Sequence, residues 1–286
     1  MPPDADDAFL AMLAGVRVVL CDADGNLFPS EEPAFVASTE VINRFLSEHG
    51  CDRTYGAEEL RRSTTGLNFR STIVALALAN GIAVAPALIP TGAAFAKPAT
   101  DQGNQPVLDA ATLERWVETE KAAVTTYLAA TLRPDPEVLD PVTGLARHYQ
   151  VAAVSSSADQ RIAACFEVTG LAKFFPPERR FSAEDSLPVP TSKPDPAIYT
   201  YAGQRLGIST GQGLAVEDSV PGATSAVSAG FPTIGNLQFV AADERDERRA
   251  AFTEIGVLRI VESWSEVAAF MAAVRDGATD AGTTSR

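Results

Sequence analysis

The chain has 286 residues, 46% hydrophobic and 21% charged, with a formal net charge of −14. This is the profile of an ordinary globular protein with enough apolar mass for a sizeable core, and its acidity argues against nucleic acid or an anionic membrane as a partner. No apolar run approaches the roughly 20 residues of a membrane span. The acidic start, Met1-Pro-Pro-Asp-Ala-Asp-Asp7, lacks the basic residues of a signal peptide. A cytoplasmic protein is expected. Cys21, Cys51 and Cys165 have neither metal-ligand nor disulfide spacing and read as free thiols. The two histidines, His49 and His148, sit beside polar helical sequence. Histidine-based catalysis and a His-rich metal site are therefore not expected.

Residues 1–14 read as a flexible start. The first predicted strand, Val16–Cys21, then runs straight into Asp22-Ala-Asp24-Gly25-Asn26-Leu27. Side chains alternate along a strand, and where the chain turns at its end two carboxylates one residue apart can converge on one small volume. Like charges that close need a shared proton or a cation. A hard cation with oxygen ligands, most simply Mg²⁺, meets that need and leaves one carboxylate to attack phosphorus. The plainer reading of this segment alone is a polar turn before a glycine.

From 31 to 132 the pattern is helical, with candidates over Phe35–His49, Ala57–Ser63, Arg70–Asn80 and Leu113–Ala130. That is too long for a crossover and reads as an inserted all-α subdomain. Within it the Pro- and Gly-rich stretch 89–110 predicts a mobile excursion. Trp116 lies in a helical pattern and reads as a packing residue. Strands alternate with helices again from Gln150 on. Gln150–Val154, Gly213–Val216, Pro232–Ile234 and Val257–Val261 are the strands; Ala158–Val168, Asp195–Leu206 and Val220–Ala229 are the helices. A last helix begins at Ser263, with Glu266 three residues on in a capping-box pattern. The fold class is α/β, a parallel sheet with helices on both faces, and ligands in such sheets bind beyond the carboxyl ends of the strands. Residues 277–286 read as a loose polar tail.

Three further strand ends carry polar groups. Gln150–Val154 runs into Ser155-Ser156-Ser157 and then a helix, an arrangement that suits a phosphate and equally a plain N-cap. Lys193 stands in the stiff turn Ser192-Lys-Pro-Asp-Pro-Ala197, where a fixed ammonium suits phosphate oxygens. Taken alone, it also fits a solvated surface lysine. Gly213–Val216 ends in Glu217-Asp218, a second pair of carboxylates. Each feature has a bland explanation, but four together at four strand ends point to one site.

In order and spacing these segments resemble the four motifs of the haloacid dehalogenase superfamily. Lys193-Pro-Asp-Pro-Ala-Ile-Tyr199 and Val216-Glu-Asp-Ser-Val-Pro-Gly-Ala223 are similar to the phosphoglycolate phosphatase and β-phosphoglucomutase-like branch. The resemblance covers nearly the whole chain. It implies a discontinuous Rossmann-like core (15–30 and 133–276), a helical cap (31–132) and flexible termini (1–14 and 277–286). It implies a Mg²⁺-dependent phosphatase acting on a small phosphorylated metabolite, a sugar or polyol phosphate, as a monomer or homodimer. Asp22 would be the nucleophile and Asp24 the general acid and base. Ser155, Ser156 and Lys193 would hold phosphate. Asp22, Asp24 through its carbonyl, Glu217 and Asp218 would hold the metal. The cap segment Gly66-Leu-Asn68-Phe-Arg70 resembles the loop that selects substrate, so Asn68 and Arg70 are candidate substrate contacts; Arg70 is equally a solvated first-turn helix residue. A phosphomutase with the same nucleophile is the nearest alternative, weakened by Ala34 near the place where that pattern has a histidine. A non-catalytic ligand-binding or regulatory protein of the same fold is the alternative of another class. The chain departs from its relatives at Asn26, where many have Thr, and at Pro29, in the hinge to the cap.

Overall fold

The structure is a computed structural model that describes residues 13–63, 68–89 and 107–283. Its sheet has six strands in the order β3-β2-β1-β4-β5-β6. They are β1 (Val18–Cys21), β2 (Gln150–Ser155), β3 (Arg180–Ser182), β4 (Gly213–Glu217), β5 (Thr233–Asn236) and β6 (Arg259–Val261). All pairings are parallel. Both faces of a parallel sheet are covered, so its central strands are apolar at nearly every position. β1 reads Val-Val-Leu-Cys and β4 reads Gly-Leu-Ala-Val-Glu, each buried throughout.

β1 lies between β2 and β4, with Cys21 level with Ala153 on one side and Val216 on the other. The strand order reverses here. A crevice opens outside the carboxyl ends of the strands at such a switch point. The residues that follow β1, β2 and β4 are Asp22, Ser156 and Asp218.

Two compact units make up the chain, one from Glu31 to Thr131 and one from the residues on either side of it. The first holds α1 (Glu31–Glu48), α2 (Ala57–Ser63), α3 (Phe69–Ala79) and α4 (Ala110–Thr131). It has its own core, in which Phe45, Leu46, Ile73, Leu113 and Trp116 are buried. Trp116 packs edge-on against Phe45 with ring centroids 5.5 Å apart, the packing role expected of it.

The sheet unit adds α5 (Pro136–Ala146), α6 (Asp159–Thr169), α7 (Ala197–Leu206), α8 (Val220–Ser228), α9 (Arg245–Ile255) and α10 (Trp264–Thr283). α5 was not singled out by periodicity, yet its start follows the rules: Asp135 caps it, accepting from the Glu137 N–H at 2.9 Å, and Pro136 occupies its first turn. α6 stops at Gly170, whose φ of +74° is the left-handed conformation glycine adopts without penalty.

Four expectations need correction. β3 was missed, because a three-residue edge strand with one buried aromatic, Phe181, has no periodicity to detect. β5 starts at Thr233; Pro232 has no N–H to give and contributes only its carbonyl, which accepts from Ala215 at 2.8 Å. The loose tail from Gly277 is helical as far as Thr283, in keeping with its two alanines, the best helix formers. Leu13, inside the expected flexible start, is fully buried. The expected excursion over 89–110 falls mostly on residues 90–106, outside the described residues.

Candidate active site

Asp22 is the first residue past β1, and its N–H donates to the Val216 carbonyl at 3.0 Å, so the ladder to β4 extends through it. Asn26 braces the turn that follows. Its amide donates to the carbonyls of Asp22 at 3.1 Å and Val216 at 2.8 Å. It accepts from Asn236 at 2.9 Å, and its own carbonyl accepts from the Trp264 indole at 2.7 Å. Asn26 is fully buried and ties the ends of β1, β4 and β5 together.

Asp22, Glu217 and Asp218 are buried, and each brings a carboxylate oxygen within 4.8 Å of the others. Lys193 reaches this cluster from the turn before α7. Its ammonium donates to Asp22, to Glu217 Oε1 at 2.6 Å and to the Val154 carbonyl at 2.8 Å. An ammonium has three donors, and all three are used. The bland alternative of a solvated lysine is excluded, since the Lys193 side chain is 5% exposed. Burial opposes its charge, but the Asp22 and Glu217 carboxylates outweigh that and hold it protonated. The Lys193 backbone N–H also donates to the Ser156 hydroxyl at 3.1 Å, which anchors the turn.

Asp22 and Glu217 share the single positive charge of Lys193. The strain shows in proton affinity. Burial pushes Glu217 up to about 8 despite the adjacent lysine, and burial raises Asp22 as well. Glu217 Oε2 is buried with no hydrogen-bond partner among the described residues. Three clustered carboxylates, one with an orphaned oxygen, fit a hard divalent cation.

Two residues outside the predicted set support the cluster. Tyr199, fully buried on α7, donates its hydroxyl to Glu217 Oε1. Gly222, in the first turn of α8, leaves room for the same carboxylate: a Cβ there would lie 1.8 Å from Glu217 Oε2. Lys193 and Tyr199 hold Glu217 from the other side, so it cannot simply swing away. Gly222→Ala is therefore expected to lose about 1–3 kcal/mol of stability by overpacking and to bind divalent cations more weakly. Urea unfolding and a metal titration check this. Unchanged values in both would show that Glu217 has freedom the packing denies.

Asp24 is separate from this cluster in its partners. Ser30 donates to its Oδ1 at 2.7 Å and Arg161 at 3.2 Å. Ser157 donates to its Oδ2 at 2.6 Å, with the Ser155 hydroxyl at 3.4 Å. Burial would raise its pKa, but Arg161, Ser157 and Ser30 outweigh that and hold the carboxyl below its ordinary range. Ser155 is itself buried and accepts from the Ser157 N–H at 3.0 Å. Arg161 was not singled out from the sequence. Its signal is the four-residue step from Ser157, which places it in the first turn of α6.

Asn68 and Arg70 lie in the helical unit and have local partners there. Asn68 caps α3, accepting from the Ser71 N–H at 2.9 Å. Arg70 forms a two-point pair with Glu114 on α4, at 2.5 and 2.8 Å. Gly66 and Leu67 of the same segment lie outside the described residues. No helix among the described residues is long and apolar enough to cross a membrane.

A family model described as haloacid dehalogenase-like hydrolase matches residues 16–230. A CBBY-like protein of Arabidopsis thaliana is 42% identical over 69 residues, a stretch that is 24% of this chain and 22% of that protein. The match thus spans about a fifth of that relative's length. Among solved structures, a haloacid dehalogenase family hydrolase from Deinococcus radiodurans R1, with bound phosphate and sodium, superposes with a TM-score of 0.58 at 21% identity. It covers 91% of this chain and 97% of its own. CbbY from Rhodobacter sphaeroides, in complex with xylulose 1,5-bisphosphate, gives 0.59 at 20% identity over 88% of this chain and 96% of its own. At such identities these two structures share the fold.

Proposed function

The chain belongs to the haloacid dehalogenase-like hydrolase family, and from that premise we propose that it is a Mg²⁺-dependent phosphatase of a small phosphomonoester. The observation that carries this reading is the buried set of Asp22, Glu217 and Asp218 around the Lys193 ammonium. A dianionic phosphate and an anionic nucleophile repel each other unless fixed positive charge stands between them. Lys193 supplies one such charge; a divalent cation held by Asp22, Glu217, Asp218 and the Asp24 carbonyl would add charge neutralisation at phosphorus. A carboxylate oxygen of Asp22 attacks phosphorus, the P–O ester bond breaks, and the leaving oxygen takes a proton from Asp24. Water then attacks the aspartyl-phosphate and gives a proton back to Asp24. Inorganic phosphate departs and Asp22 is regenerated. Ser155 and Ser156 assist Lys193 in holding the phosphoryl oxygens.

A sugar or polyol phosphate is the proposed substrate class. The complex of CbbY, a protein of the same fold, with a sugar bisphosphate supports it. Selection is proposed to lie with the helical unit, Asn68 and Arg70 included. The test is hydrolysis of p-nitrophenyl phosphate with and without Mg²⁺, followed by a panel of phosphorylated metabolites. Phosphate release that needs the metal is expected. Absence of release from every ester, or equal release in excess EDTA, would sink the reading.

Lys193→Ala is expected to lose turnover and to weaken inhibition by vanadate, because the fixed charge at phosphorus is gone. It also leaves Asp22 and Glu217 without their counter-ion, so a loss of about 3–5 kcal/mol in stability accompanies it. Vanadate inhibition as tight as in the parent would remove Lys193 from the phosphate site.

A further inference from the structure

Both oxygens of Asp24 are held, by donors from two segments of chain. Ser30 follows β1, whereas Ser155, Ser157 and Arg161 come from the end of β2 and the start of α6. Arg161 is the third residue of α6. A positive charge there meets the positive end of the helix dipole, an unfavourable place for it. The helix start already has its anion, since Asp185 accepts from the Asp159 N–H at 2.7 Å. Nothing local to α6 accounts for an arginine at this position; the Asp24 carboxylate does. The pair is shielded, with side-chain exposures of 25% for Arg161 and 22% for Asp24. Arg161 Nε is buried with no hydrogen-bond partner among the described residues. A buried N–H left unpaired is costly, so the guanidinium is kept where it is for its contact with Asp24.

We infer that Arg161 is a positioning residue, which with Ser157 fixes the direction of the Asp24 carboxylate for proton transfer. The inference rests on the phosphatase reading above. A hydroxyl can donate or accept and so can pass a proton on. A guanidinium only donates and stays protonated. Arg161 therefore takes no part in the transfer and acts through the carboxylate it holds. Orientation of this kind matters because displacement of a reacting group by about 1 Å can cost about 10²-fold in rate.

The experiment compares Arg161→Ala and Arg161→Lys, each alone and combined with Asp24→Asn, on an alkyl phosphomonoester with Mg²⁺ present. Arg161→Ala is expected to lower kcat by about 10- to 100-fold, with KM and vanadate affinity nearly unchanged. Arg161→Lys should recover part of the loss. In the Asp24→Asn background Arg161→Ala should cost no more than about twofold further, because two residues acting as a unit are not additive. Full additivity would overturn the inference, and so would a fall in vanadate affinity, which would make Arg161 a phosphate ligand. If the parent protein hydrolyses no phosphomonoester, the phosphatase reading fails separately. The Asp24 carboxyl ¹³C resonance then decides: a shift in Arg161→Ala upholds the contact, and an unmoved resonance overturns it.

Discussion

Asp22→Asn is expected to bring phosphatase turnover down to background, both on p-nitrophenyl phosphate and on any natural phosphomonoester. The amide has nearly the volume of the carboxylate, so the fold around β1 should survive. What it lacks is the anionic oxygen that attacks phosphorus. It also takes the negative charge from one of the three acceptors of the Lys193 ammonium and removes one of the three clustered carboxylates. Divalent-cation affinity should therefore fall together with activity. Initial rates across a Mg²⁺ titration separate the two losses, because saturating metal restores occupancy without restoring the nucleophile. Turnover that returns at high Mg²⁺ would mean that water, not Asp22, attacks phosphorus.

Much of this site was legible because its carboxylates interrupt apolar runs. Val18–Cys21 and Leu214–Val216 are buried, strongly patterned strands, and a charged pair at the end of each demands a chemical reason. Lys193 was legible through its prolines, which mark a stiff turn, although only the folded chain shows that all three of its donors are occupied. What escaped notice has no pattern of its own. Tyr199 and Gly222 matter only because tertiary structure places one carboxylate, Glu217, between them. Arg161 is an unremarkable helix arginine until the β2–α6 turn sets it against Asp24, a residue 137 positions earlier. Asn26 is a substitution in a motif by sequence and a buried tie between three strands by structure. In the fold, the long central elements followed from periodicity, whereas β3, held at the edge by pairing with β2, did not.

Asp24→Asn is expected to slow turnover of alkyl phosphates by about 10²-fold or more, the usual scale of general acid–base catalysis. The leaving alkoxide needs a proton in the first step, and the attacking water must lose one in the second. One carboxyl group serves both if it alternates between its two protonation states. The contacts of Asp24 sharpen the expectation. Ser30, Ser157 and Arg161 all donate to it, and the amide of an asparagine would turn an N–H₂ donor toward one of these donors. The variant thus loses both the exchangeable proton and part of the hold on its side chain. Asp22 remains intact, so a substrate whose leaving group departs without a proton should still form the aspartyl-phosphate. Its hydrolysis, which needs the base, should lag. With p-nitrophenyl phosphate the variant is expected to show a burst of nitrophenol followed by slow turnover. Intact-protein mass spectrometry after an acid quench should find one phosphoryl group on the chain, absent when Asp22→Asn is combined with it. Alkyl phosphates hydrolysed at the parent rate would show that Asp24 carries no proton. A burst that persists in the double variant would place the phosphoryl group on another residue.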